Sequence, residues 1–134
     1  MAESSHLAAN TRPLILLIED YVDLREMIAA ALEHGGYRTL ALNSGDDVLT
    51  TPRDTLMEAR FALVDDSLPG QLTGAQTVAL LHLINPRIKV FPIPGRPLTE
   101  YEHALIAGHY RQILLKPFGL ETLLAAIKLA AASL

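Results

Sequence analysis

Four charged side chains of this 134-residue chain stand directly after short apolar runs. Glu19 and Asp20 follow one run, Asp65 follows a second, and Lys116 follows a third. Carboxylates that lie close together cannot all ionise cheaply unless a cation sits among them. Their oxygens are the hard ligands that suit Mg²⁺. If the four side chains meet, they would form a magnesium site with a lysine beside it.

The apolar runs have the character of buried parallel strands, which read as near-continuous hydrophobic segments. They alternate with segments of helical periodicity, and this alternation is typical of β-α-β units. The sequence predicts five strands: Leu14–Ile18, Tyr37–Leu42, Phe61–Val64, Ile88–Ile93 and Arg111–Leu115. The expected fold class is α/β, a doubly wound parallel sheet of strand order 2-1-3-4-5 with helices on both faces. Ligands bind at the carboxyl ends of such strands, so the charged residues should meet in one pocket.

Composition restricts the function further. The length fits one domain, which we place at residues 13–134 behind a flexible tail of residues 1–12. The net charge of −4 argues against direct nucleic-acid binding. The absence of cysteine excludes disulfides and thiol catalysis. No signal-peptide pattern or membrane-spanning apolar run is visible, which favours the cytoplasm.

Taken in order, these residues resemble the receiver domain of two-component response regulators. The similarity runs from Pro13 to the C-terminus. It rests on four short motifs: Ile18-Glu19-Asp20, the segment Val64–Gly70, Ala107-Gly108 and the segment Leu115–Phe118. The resemblance implies a flavodoxin-like fold and a phosphorelay signalling module rather than a turnover enzyme.

The resemblance also implies a role for each site residue. Asp65 would be the phosphoacceptor and Lys116 would bind a phosphoryl oxygen, with a cis peptide bond before Pro117. Mg²⁺ would have four ligands: Glu19, Asp20, Asp65 and the backbone carbonyl of Ser67. The phosphoryl donor would be a sensor histidine kinase or a histidine phosphotransfer protein.

The chain departs from the family at three switch positions. Ile93 stands where the family has a hydroxyl residue at the end of the fourth strand, and Pro94 lacks the N–H that normally follows it. Ile113 replaces the switch aromatic of the fifth strand, after an apparent one-residue insertion between Gly108 and Lys116. We therefore expect phosphorylation with a weakened or altered conformational response.

Other functions stay open at this stage. A pseudo-receiver that acts without phosphate, as a protein-interaction module, is the main alternative. A phosphohydrolase would need a second acid where Ser67 stands, and a flavin carrier would need a glycine-rich loop in place of Glu19-Asp20-Tyr21. The alanine-rich last helix, Leu120–Leu134, is explained either by helix propensity or by a homodimer face. The five histidines show no metal-ligand spacing.

Overall fold

The computed structural model describes residues 12–66 and 69–132. Its strands and helices, numbered here in chain order, are β1 (Leu14–Ile18), α1 (Val22–His34), β2 (Arg38–Leu42), α2 (Asp46–Thr50), α3 (Arg53–Glu58), β3 (Ala59–Asp65), α4 (Gly74–Ile84), β4 (Lys89–Ile93), α5 (Glu100–Ile106) and α6 (Leu120–Ala132). The predicted tail falls almost entirely outside the described residues, and so does Ser67.

The strands form one parallel sheet of order β2-β1-β3-β4. β1 lies at its centre and pairs with β2 from Leu14 to Ile18 and with β3 up to Ile18 opposite Val64. β3 and β4 stay in register to their last residues, where Asp65 pairs with Ile93. The parallel pairing brings the carboxyl ends of β1, β3 and β4 to one edge of the molecule.

Successive residues of each strand point to opposite faces of the sheet, so the core has two layers. One layer contains Leu16 and Val64 and is covered by α2, α3, α4 and α5. The other contains Leu17 and Leu63 and is covered by α1 and α6. Helices therefore lie on both faces, and the predicted doubly wound α/β architecture is confirmed.

The prediction of a fifth strand was wrong: among the described residues the sheet has four strands. The segment 111–116 runs beside β4 without completing a ladder. Its backbone N–H groups donate to three carbonyls of β4 and its continuation, Arg111 to Val90 (2.7 Å), Leu114 to Pro92 (2.9 Å) and Lys116 to Pro94 (2.9 Å). The first two donors are three residues apart while their acceptors are two apart, so one residue bulges out where we inferred an insertion.

Prolines explain why the ladder is incomplete. In a parallel pair, a residue that donates to one carbonyl accepts from the N–H two positions further along the neighbouring strand. The carbonyl of Arg111 would thus accept from position 92, and the carbonyl of Leu114 from position 94. Pro92 and Pro94 have no N–H, so every second bond of the ladder is missing.

Close backbone packing fixes the loop that follows β3. The Asp46 carboxylate accepts from the N–H groups of Gln71 and Leu72, and these bonds lower its pKa. At the start of α4, a Cβ on Gly74 would lie 2.4 Å from the carbonyl oxygen of Asp65. Only glycine fits there without moving the end of β3.

In the part of the chain that the structure describes, no helix has the length and apolar character needed to cross a membrane.

Candidate functional site

Three carboxylates meet at the carboxyl ends of the two central strands. Glu19 and Asp20 follow β1, Asp65 ends β3, and each offers an oxygen within 4.8 Å of the others. Glu19 and Asp65 are buried, at 1% and 3% exposure, and Asp20 is the most exposed of the three. Strands β1 and β3 are adjacent and in register, which is why residues far apart in sequence converge here.

Lys116 reaches the same point from the segment beside β4. Its Nζ donates to Glu19 Oε1 at 2.9 Å and to Asp65 Oδ1 at 3.2 Å. The peptide bond between Lys116 and Pro117 is cis. The convergence that the spacing of charged residues suggested is therefore present, with the lysine between two buried carboxylates.

The charges of this cluster do not balance. Burial raises the pKa of Glu19, and the hydrogen bond from Lys116 opposes that effect without cancelling it. For Lys116 burial works to lower the pKa, yet the hydrogen bonds and charges of Glu19 and Asp65 outweigh it, so its pKa is raised. One ammonium thus faces an excess of negative charge. This excess, carried by oxygen ligands, is the environment that a hard divalent cation fits.

Two of the three positions that depart from the receiver pattern adjoin this cluster, and the third packs against the core. Ile93 is fully buried at the end of β4, directly beside Asp65 in the sheet. Pro94 follows, and its carbonyl accepts from the Lys116 N–H. Ile113 packs, partly buried, against the core layer that contains Val64. An isoleucine therefore occupies the strand position nearest to Asp65 on this side.

Sequence reasoning missed a second charged group next to the site. Asp66 has a side chain only 7% exposed. Its Oδ1 accepts from the Gly95 N–H at 3.1 Å, and its Oδ2 lies 3.5 Å from Nε of Arg96. An aspartate directly after a strand is typical of a turn, and its partners lie in a loop that no periodic pattern describes.

The same arginine joins this group to the start of α5. Arg96 forms a two-pronged ion pair with Glu102, at 2.8 and 2.9 Å. Glu102 also completes a capping box with Thr99 at the start of this helix. The bond from Arg96 and the backbone bond from Thr99 lower the pKa of Glu102 to about 2.

We expect replacement of Glu102 with glutamine to destabilise the protein slightly and in a pH-dependent way. The folded-state pKa lies below the ordinary value of 4.5, so ionised Glu102 stabilises the fold above that pH and loses this contribution as the pH falls toward 2. The difference in free energy of unfolding should be at most about 1 kcal/mol at neutral pH, because the pair is near solvent. Urea unfolding of both proteins across this range measures it. A difference in free energy of unfolding that does not change with pH would contradict the assignment of this stabilisation to ionised Glu102.

The fold and the cluster together define the class of protein. The family model of the response regulator receiver domain matches residues 15–128, and the chain belongs to that family. In sequence it is 28% identical to the response regulator receiver protein CpdR of Brucella abortus (strain 2308) over 115 residues, which cover 85% of this chain and 92% of that protein.

Solved structures agree with this membership. A CheY-like receiver domain protein from Methanospirillum hungatei JF-1 superposes with a TM-score of 0.80 at 19% identity, over 91% of this chain and 95% of that one. The signal receiver domain of a modulated diguanylate cyclase from Desulfovibrio desulfuricans G20 gives 0.78 at 25% identity, over 90% and 94% of the two chains. The two comparisons show that this chain and those receiver domains have the same fold.

Proposed function

We propose that this receiver domain accepts a phosphoryl group on Asp65. The observation that carries the proposal is the position of the Lys116 ammonium, 3.2 Å from Asp65 Oδ1. A group attached to Asp65 would meet a cation already in place. Phosphoryl transfer depends mainly on such positioning and charge neutralisation.

The transfer exchanges one bond to phosphorus for another. One Asp65 oxygen forms a bond to phosphorus as the bond from phosphorus to a donor histidine nitrogen breaks. The nitrogen keeps the bonding electron pair, and a proton on the other ring nitrogen leaves the departing imidazole neutral. Lys116 offsets negative charge on the transferred group throughout.

The carboxylate cluster is suited to a metal. Glu19, Asp20 and Asp65 are the side chains that would hold Mg²⁺, with the carbonyl of Ser67 as a further proposed ligand. When bound, the ion supplies charge neutralisation at the phosphoryl oxygens.

The donor in this proposal is the phosphorylated histidine of a sensor kinase or of a phosphotransfer protein. An apolar groove of about 500 Å³ supports a protein donor, because it adjoins the site directly. The residues that line this groove include Met27, Phe118 and Lys116. Met27 is 55% exposed, which leaves apolar surface available to a partner.

The conformational response should differ from that of the family. Ile93 has no hydroxyl with which to bind a phosphoryl oxygen, and Pro94 has no N–H. Ile113 cannot act as a mobile aromatic. We therefore propose a phosphoacceptor whose usual switch is weakened or follows another route.

A small phosphodonor tests this proposal. We expect the protein, incubated with acetyl phosphate and Mg²⁺, to gain one phosphate by intact mass, because an Asp65 oxygen displaces acetate from phosphorus. Asp65→Asn should gain none. Asp54→Asn, which removes an exposed acid of α3, is the matched control and should behave like wild type. A wild type that stays unmodified, or an equal gain on Asp65→Asn, would refute the assignment.

A phosphate-independent pseudo-receiver is the second candidate, and Ile93 beside Asp65 favours it. Titration calorimetry with Mg²⁺ separates the two functions. A phosphoacceptor should bind the ion and lose most of its affinity in Asp20→Asn, whereas a pseudo-receiver has no need to retain a metal.

A further inference from the structure

Asp66 is a buried acid without a role in the proposed transfer. Its side chain is 93% shielded from solvent, since 7% of it is exposed. Among the described residues Oδ2 makes no hydrogen bond, and the nearest cation to it is the half-exposed Arg96. A buried carboxylate with an unbonded oxygen is costly, so its retention in this place calls for an explanation.

The position of Asp66 relative to Asp65 supplies an explanation for this buried carboxylate. The Asp66 N–H donates to Asp65 Oδ1 at 2.9 Å, so the two residues share one corner of the site. Ile93, which pairs with Asp65 in the sheet, has no hydroxyl to offer a phosphoryl group, and Pro94 has no N–H. The first N–H after them along the chain belongs to Gly95, and Asp66 Oδ1 accepts it. The next side chain along is Arg96, and it pairs with Asp66 Oδ2.

We infer that Asp66 is an internal substitute for the phosphoryl group. In the unphosphorylated protein it holds the Gly95 N–H and the Arg96 guanidinium. Phosphorylation of Asp65 would transfer both donors to the phosphoryl oxygens. This inference rests on the proposed function, and it names the groups that replace the missing hydroxyl and the missing N–H.

Charge favours the exchange of donors. A phosphoryl group carries more negative charge than a carboxylate and offers three strong acceptor oxygens. Arginine binds such groups through two parallel hydrogen bonds. A second anion next to Asp66 also repels its carboxylate and weakens its hold on both donors.

The exchange would reach the surface through α5. Arg96 pairs with Glu102 in the first turn of that helix, and Glu102 belongs to the capping box. A shift of Arg96 would therefore pull on the helix start. Tyr101, the neighbour of Glu102, is 73% exposed and would change its surroundings. This path replaces the aromatic switch that Ile113 cannot provide.

Beryllium fluoride is the probe for the test, since it attaches to a carboxylate oxygen by displacing a water molecule from beryllium and resembles a phosphoryl group. Its affinity is measured by titration calorimetry in Mg²⁺, and nitrogen-15 NMR follows the Gly95 amide and the Arg96 Nε–H. We expect both resonances to shift on binding in wild type. Arg96→Gln should weaken binding about tenfold, which is the effect of losing one hydrogen bond to a charged group.

Asp66→Asn removes the charge that competes for Arg96 and should strengthen binding about fivefold, a smaller change than loss of the arginine itself. In the double variant Asp66→Asn/Arg96→Gln most of this gain should disappear, because there is no arginine left to release. If Asp66 acted only by repelling the bound beryllium fluoride, Asp66→Asn would give the same gain in affinity with or without Arg96. That outcome overturns the inference. Arg53→Gln, an exposed arginine of α3, is the matched control and should bind as wild type does.

The outcomes separate the inference from the function on which it rests. If wild type gains no phosphate and binds no beryllium fluoride, both fail. If it gains phosphate on Asp65 while the Gly95 and Arg96 resonances stay unmoved, the phosphoacceptor stands and the inference is wrong.

Discussion

Replacement of Lys116 with alanine should lower the free energy of unfolding by about 3 kcal/mol at neutral pH without Mg²⁺. The variant leaves Glu19 and Asp65 buried together after removing the ammonium that donates to both. Removing one partner of a buried ion pair is costly because the remaining charge is uncompensated. Here two carboxylates are left, and each disfavours ionisation of the other. Urea unfolding of wild type and variant measures the difference.

The pH dependence of that loss identifies its cause. Burial raises the folded-state pKa of Glu19 above its ordinary value of 4.5. The ionised group therefore destabilises the fold increasingly as the pH rises from 4.5 through the raised pKa. Without Lys116 this effect should grow, so the variant should recover toward wild type in acid, where the carboxyl group is neutral.

Two further measurements serve as controls for the Lys116 variant. Asp65→Asn removes one of the two crowded charges and should restore most of the lost stability in the Lys116→Ala background. Added Mg²⁺ should stabilise the Lys116→Ala variant more than it stabilises wild type. An equal loss at all pH values that neither Asp65→Asn nor Mg²⁺ relieves would show that lost packing, rather than charge, is responsible.

Replacement of Asn85 with alanine should also destabilise the fold, by about 3 kcal/mol. Asn85 is 3% exposed and its Nδ2 donates to the carbonyls of Leu56 and Ala59, both at 2.9 Å. Its Oδ1 accepts from the Arg87 N–H. The amide thereby joins the end of α4 to the junction between α3 and β3. Alanine would remove the side-chain donor from both buried carbonyl groups.

Asn85→Asp is the matched variant, because it keeps the size and removes the donor. At neutral pH its carboxylate would face the two carbonyl oxygens, so it should be less stable than Asn85→Ala. In acid the protonated carboxyl group regains one donor, so the difference in stability between Asn85→Asp and Asn85→Ala should become smaller. Thermal and urea unfolding of the three proteins give this ranking. An aspartate variant as stable as wild type would show that the amide bonds contribute little.

Much of the fold could be predicted from local patterns. The apolar segments before Glu19 and Asp65 are buried strands, and the alternation with helices fixed the sheet order over four strands. The prediction of a fifth strand was wrong, although the sequence contains the reason why the ladder is incomplete there. Pro92 lies in the fourth strand and Pro94 directly after it, and their missing N–H groups affect the neighbouring segment, which a strand-by-strand interpretation does not consider.

The site was partly predictable for the same reason. Glu19, Asp20 and Lys116 stand at the ends of patterned segments, and the topology brings them to Asp65. Contacts between loops have no such signal. The bond between Asp66 and Gly95 depends on how two irregular segments fold back on each other.

Irregular segments hide other contacts as well. His82 at the end of α4 and His109 after α5 place their Nδ1 atoms 2.9 Å apart. In the sequence Asn85 stands directly before a proline, a position that indicates only the end of a helix. In each case the partners become neighbours through the tertiary fold rather than through spacing along the chain.

The incomplete ladder beside β4 has a consequence for local unfolding. The segment 111–116 is tied to the sheet by hydrogen bonds that run in one direction, from its own N–H groups to the carbonyls of β4. Such a segment can detach at lower free energy than a strand held by bonds in both directions. It also carries the lysine that neutralises Glu19 and Asp65. Opening of this edge would therefore withdraw the Lys116 ammonium from Glu19 and Asp65, and any further negative charge attached to Asp65 would favour its closure.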